Sequence, residues 1–280
     1  MDSACLQYAL DLTAGGGLTL NCEQRAALQT SLLVIKVNYK FSRVLFWGKI
    51  LGLKNDYFIA QGVAADEMKA KKILYSLDCT EWHLLPPVTA PLLADASTLI
   101  GRFTGDPSFE YEQMETRQQG EGGQAAQMEI AAGSTVKVNE EQRVAAVVLT
   151  IDREASVVPR GAFTRTPDGR VQTNRSFEGL SWSEAVKLSN YCHFTEPQAG
   201  KKNRILDMTR LDPSLDFLHS LTEDIPKGSW SLQLEKGSRV VVLRSLLWLG
   251  LSFFHVPMTP QHGYIYMGDG LKNMDLPFML

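Results

Sequence analysis

The chain lacks the residue patterns that usually announce chemistry. Its four cysteines, Cys5, Cys22, Cys79 and Cys192, stand far apart with no C-x-x-C spacing, so neither a zinc site nor a disulfide framework has a basis in the sequence. Its five histidines, His83, His193, His219, His255 and His262, form no i, i+4 pair and no H-E-x-x-H. There is no G-x-S-x-G elbow, Walker loop or kinase signature. The glycines at 15–17 follow no strand and precede no Lys-Ser/Thr, so they read as a connector. A basic surplus is missing too: 28 Lys plus Arg against 31 Asp plus Glu leave a net charge of −3, which argues against a nucleic-acid partner. The longest apolar run, 246–254, falls far short of the roughly 20 residues that cross a bilayer. No basic n-region precedes an apolar stretch at the start, so the expectation is a soluble, intracellular chain without a membrane partner.

What is present is apolar and aromatic, and it is densest in 227–280. Trp230, Leu232 and Leu234 alternate with Ser231, Gln233 and Glu235, the period of a half-buried strand. Lys236-Gly237 supplies a turn, 239–245 (RVVVLRS) returns as a second strand, and 246–254 suits a strand covered on both faces. After Pro257 and Pro260, Tyr264, Ile265 and Tyr266 begin another. The pattern predicts an antiparallel meander whose Trp230, Trp248, Phe253, Phe254, Tyr264 and Tyr266 demand cover, from the chain's own helices or from a partner. Leu276, Phe278 and Leu280 in the tail MDLPFML are further candidates, either for a partner contact or for docking back on the sheet.

The rest of the chain reads as helices and hairpins. Residues 3–13 carry an amphipathic pattern, and Asn21 with Gln24 forms a capping box for a helix over 22–37. Strands follow at 43–53, 57–61 and 73–78, then a helix over 90–100. Residues 110–127 (EYEQMETRQQGEGGQAAQ) contain no Leu, Ile, Val, Phe or Trp and predict a mobile polar insert. Asn139 caps a run, EEQRVAAVVLTIDRE, whose acids suit the first turn of a helix, while its valines leave a strand as the alternative. Asp168-Gly169 marks a hairpin between AFTRT and RVQTN. Ser181 and Glu184 open a helix, WSEAVKLSNY, and Asp212-Pro213 opens another, LDFLHSL. The fold class expected is α+β: antiparallel sheets with packed helices and a C-terminal β-meander. Its parts are 1–109 (helix plus hairpin), 110–127 (insert) and 128–280 (α+β with meander), the first and last packing as one unit.

Several stretches resemble a known family. RVLFWGKILGLKNDYFIAQG (43–62), LYSLDCTEWHLLPP (74–87), GRFTGDPSFEYE (101–112), NRSFEGLSWSEAVKLSNYCHF (174–194), LDPSLDFLHSL (211–221), IPKGSWSLQLEKG (225–237), VVLRSLLWLGLSFFH (241–255) and KNMDLPFML (272–280) are similar to radial spoke head proteins of motile cilia and flagella. A looser likeness in VVVLRSLLW and GYIYMGDG extends to the larger members of types 4 and 6. Two departures stand out: the family has LWPG where this chain has Trp248-Leu249-Gly250, and 113–143 match poorly. The resemblance implies a non-catalytic subunit in the cytoskeleton of the ciliary axoneme, without a cofactor. It would help assemble the spoke head and relay signals from the central pair to dynein. Implied partners are spoke head proteins of types 4 and 6, further spoke subunits and central-pair projections. The rival reading is an enzyme or small-ligand protein on the same scaffold, which needs a pocket holding His255 or His193 beside a carboxylate.

Overall fold

Asn21 opens the longest helix of the N-terminal part as its sequence predicts. Its side chain accepts from the Gln24 N–H at 2.7 Å, and the Gln24 side chain accepts from the Asn21 N–H at 3.1 Å. The structure, a computed structural model, describes residues 1–114, 135–196 and 212–279, apart from 14, 16, 18 and 70. α1 (Leu6–Thr13) and α2 (Cys22–Asn38) precede four antiparallel strands: β1 (Arg43–Ile50), β2 (Tyr57–Val63), β3 (Lys72–Ser76) and β4 (His83–Leu84). Next come α3 (Ala90–Thr98), the pair β5 (Glu110–Met114) and β6 (Thr135–Asn139), and α4 (Glu140–Ala155). Short elements follow: β7 (Val157–Pro159), the hairpin β8 (Phe163–Arg165) and β9 (Val171–Thr173), α5 (Trp182–Ala185) and β10 (Tyr191–His193). The meander is β11 (Trp230–Glu235), β12 (Val240–Ser245), β13 (Leu251–His255) and β14 (His262–Gly268), and α6 (Leu276–Met279) closes the described chain.

Eight strands form one sheet in the order β11-β12-β13-β14-β1-β2-β3-β4. Every neighbouring pair is antiparallel except β1 and β14, which run parallel with Gly48 opposite Tyr266. A Cβ on Gly48 would lie 1.9 Å from the Tyr266 carbonyl oxygen, and its φ of 148° suits only glycine. A bulge between Phe46 and Gly48 on β1 lies just before this junction.

Both faces of the central strands β12, β13, β14, β1 and β2 are covered, which explains why these strands are apolar almost throughout. Val241, Leu243, Phe253, Tyr264 and Tyr266 share a core with Val144, Val148 and Ile151 of α4. The alternate residues Val240, Val242, Phe254, Ile265 and Met267 pack with Leu6 and Leu10 of α1 and Leu28, Leu32 and Ile35 of α2. A smaller cluster, Val158, Ala162, Phe163, Val171 and Phe194, sits under the β8–β9 hairpin.

Four local expectations are corrected. Glu110–Met114, placed in the polar insert, is a strand, because Tyr111 is anchored from α4 and Lys137 on β6 pairs with Glu110 and Glu112. The rest of that insert lies outside the described residues. Residues 246–250 form a turn, so β13 begins only at Leu251; Gly250 has φ 102° there and approaches the Met267 carbonyl too closely for a Cβ. The helix at 182–191 stops after Ala185, since the Tyr191 hydroxyl donates to the Ala185 carbonyl and β10 begins. After Asp212 there is a turn rather than a helix. Asp212 accepts from Ser214 while its own N–H donates to Asp216, which also pairs with Arg160.

Candidate functional site

The aromatic residues of the meander are core. Phe253 and Tyr266 are fully buried, and Trp248, Phe254, Trp230, Tyr264 and Leu276 are at most 9% exposed. Their polar ends are also used: Trp248 Nε1 donates to Glu154 (2.9 Å), Trp230 Nε1 to Asp224 (2.7 Å), and the Tyr264 hydroxyl to Asp152 (2.6 Å). Burial opposes charge on Asp152, but Lys71 at 3.0 Å and the Tyr264 hydroxyl hold its carboxyl below the usual range. Of the tail candidates Phe278 is 89% exposed, whereas Leu280 lies outside the described residues.

The histidines named by the rival reading are engaged structurally. His255 is fully buried, with Nε2 accepting from the Leu180 N–H (3.2 Å) and Nδ1 facing the Gln261 carbonyl (3.1 Å), so both ring nitrogens are used by a neutral imidazole. Burial lowers its pKa to about 4. His193 Nε2 stands 2.8 and 2.9 Å from the two Asp224 oxygens, while the same carboxylate accepts from Trp230. An open groove of about 590 Å³ does exist, lined by Thr13, Arg244, Leu249, Gly250, Met267 and Asp269 among others, but neither histidine lines it. Its arginine is bonded to Gln233 and Glu235. Among the described residues, no cluster of three His, Cys, Asp or Glu has the arrangement of a metal site.

One polar centre escaped the sequence reading. Glu140, fully buried at the start of α4, accepts from the hydroxyls of Tyr57 (2.8 Å), Tyr111 (2.6 Å) and Thr104 (2.8 Å). The backbone N–H groups of Thr104, Gly105 and Asp106 also donate to it. Burial works against its charge, yet these bonds hold its carboxyl below the usual range. Burial, then the bond to Glu140, pushes the Tyr111 hydroxyl up to about 12. One turn along, Arg143 donates to Tyr111 and the Gly101 carbonyl, with its guanidinium over the rings of Phe103 and Tyr111. The arrangement locks loop 101–106 and the β5–β6 pair to α4. In the sequence Glu140 is indistinguishable from its neighbour Glu141, and only the fold tells them apart.

The exposed apolar surface is therefore the functional candidate. α2 buries Leu28, Leu32 and Ile35, yet its opposite face is also apolar, with Leu33, Val34 and Val37 51%, 53% and 75% exposed. Ala26, Thr30, Leu33 and Val37 recur at the 4-3-4 spacing of a helix-packing seam. At the far end of the chain Met274, Phe278 and Met279 are each more than two-thirds exposed. A two-sided apolar helix and an apolar tail belong to the class of proteins that work by contact with other proteins.

The comparisons agree with that class. A family model described as "Radial spokehead-like protein" matches residues 6–129. The radial spoke head protein 9 homolog of Danio rerio is 65% identical over 281 residues, covering 100% of both chains. Those of Homo sapiens and Xenopus tropicalis are 52% and 47% identical, again over 100% of both chains. The chain belongs to the radial spoke head protein family, as its sequence motifs indicate.

Proposed function

We propose that this chain is a non-catalytic structural subunit of the radial spoke head in the axoneme of motile cilia and flagella. The observation that carries the reading is 65% identity, end to end, with a protein named for that structure. In this reading the chain assembles with other spoke head proteins, including the larger types 4 and 6, and with further spoke subunits. The assembled head meets central-pair projections and passes their signal toward dynein. The packing supports such a role: a sheet whose central strands are buried on both faces resists deformation, while the outer face of α2 and the tail residues Met274 and Phe278 offer apolar contact area.

The test uses demembranated axonemes extracted with chaotropic salt and run on a sucrose gradient, with the protein tracked by antibody. The expected outcome is release in a large particle together with the other spoke head proteins. Release by detergent alone, as a free single chain, overturns the proposal.

A further inference from the structure

β11 forms one edge of the eight-stranded sheet, and among the described residues no strand pairs with its outer side. Its inner side pairs with β12. The Leu246 N–H donates to the Ser229 carbonyl at 2.8 Å, and the register runs on from Trp230 opposite Ser245 to Glu235 opposite Val240. By the alternation of an antiparallel ladder, Ser231, Gln233 and Glu235 turn their peptide groups toward β12. Trp230, Leu232 and Leu234 turn theirs outward, and among the described residues no backbone bond is made there. Natural edges are usually protected by proline, lysine, a bulge or brevity. WSLQLE has none of the first three and spans six residues, whereas the opposite edge, β4, has two.

We propose that this edge pairs with the same edge of a second copy of the chain, antiparallel about a two-fold axis at Leu232, joining two sheets into one. The register follows from the strand itself. With Leu232 opposite its own copy, Trp230 meets Leu234, so every residue with outward peptide groups meets another and exchanges both backbone bonds. A slip of one residue sets outward groups against inward ones. The charges agree as well: Glu235 falls opposite Ser229, Lys236 opposite Gly228 and Lys227 opposite Gly237, with no like charges facing each other. Space is open at the turn, where a Cβ on Gly237 would meet nothing within 4 Å. On the apolar side, the partly buried Leu232 and the 45% exposed Leu234 gain cover from Leu232 and Trp230 of the second copy. The contact is isologous, as closed homodimers require. It does not depend on the proposed function.

The experiment measures the mass of the purified full chain by light scattering and sedimentation equilibrium over a dilution series. The wild type is expected at the mass of two chains, dissociating on dilution. Leu234→Pro removes an outward N–H from an exposed position and should give single chains with an unchanged circular dichroism spectrum. Leu232→Lys and Leu232→Glu should each be single chains alone, and their mixture should recover the two-chain mass, because position 232 faces itself. A wild type that stays single at every concentration overturns the proposal, as does a folded Leu234→Pro that stays paired or a mixture that fails to recombine. If the variants misfold, hydrogen exchange on the wild type decides. The amides of Trp230, Leu232 and Leu234 gain protection with concentration if the edge pairs, and the proposal fails if they do not.

Discussion

His255 shows how burial changes what a residue can do. In solution an imidazole titrates near 6.5, but burial keeps this one neutral until about pH 4. Because its folded pKa is depressed, the unfolded chain binds more protons between those values. Its stabilising contribution is therefore complete above pH 6.5 and is lost as the pH falls toward 4. The slope amounts to at most about 1.4 kcal/mol per pH unit. We predict that His255→Gln unfolds at lower urea than wild type at pH 7, yet loses less stability between pH 6.5 and 4. Urea midpoints at several pH values test this, and equal slopes for the two proteins would refute it. Glu140 acts in a lower window. Its folded pKa is depressed, so its contribution is complete above the unfolded carboxylate range and is lost as the pH falls from that range through the lower folded value.

Among the elements, β1 has the decisive position, since its parallel pairing with β14 joins β2–β4 to the meander. That junction depends on Gly48. A methyl group there must push the Tyr266 carbonyl aside, and the backbone conformation is strained for any other residue. Gly48→Ala is expected to destabilise the fold by more than about 3 kcal/mol, combining overpacking with backbone strain. The α2 cap is a gentler case: Asn21→Ala should cost about 1 kcal/mol, since it removes one bond of an exposed capping box. Thermal denaturation of the two variants should show a large shift for the first and a small one for the second.

At the scale of the whole molecule, two kinds of apolar surface have to be separated. Trp248 is 4% exposed and bonded to Glu154, so Trp248→Ala should cost about 3–5 kcal/mol and lower the yield of folded protein. The double variant Leu33→Asp with Val37→Asp changes exposed positions on α2. It should alter stability by only about 0.5 kcal/mol per site while abolishing recruitment into the spoke head particle. A folded double variant that is recruited normally would exclude the α2 face as a contact.

The sequence by itself determined the element type at several positions where the local signal was strong, although the same kind of signal at Asp212-Pro213 gave only a turn. The capping box at Asn21, the alternation in 230–235, the Asp168-Gly169 hairpin and the first-turn acids of α4 all act over a few residues, and local chemistry is legible in local sequence. Its motifs also carried the family. What only the tertiary structure decided depends on residues far apart in the chain. The parallel seam at Gly48, the late start of β13, the early end of α5, and the choice of Glu140 over Glu141 as the buried carboxylate are of this kind. So is the division of apolar residues into those covered and those left out. Trp248 and Val37 look equally apolar in the sequence; whether each is core or surface depends on which strand or helix reaches it, and that is set by long-range packing.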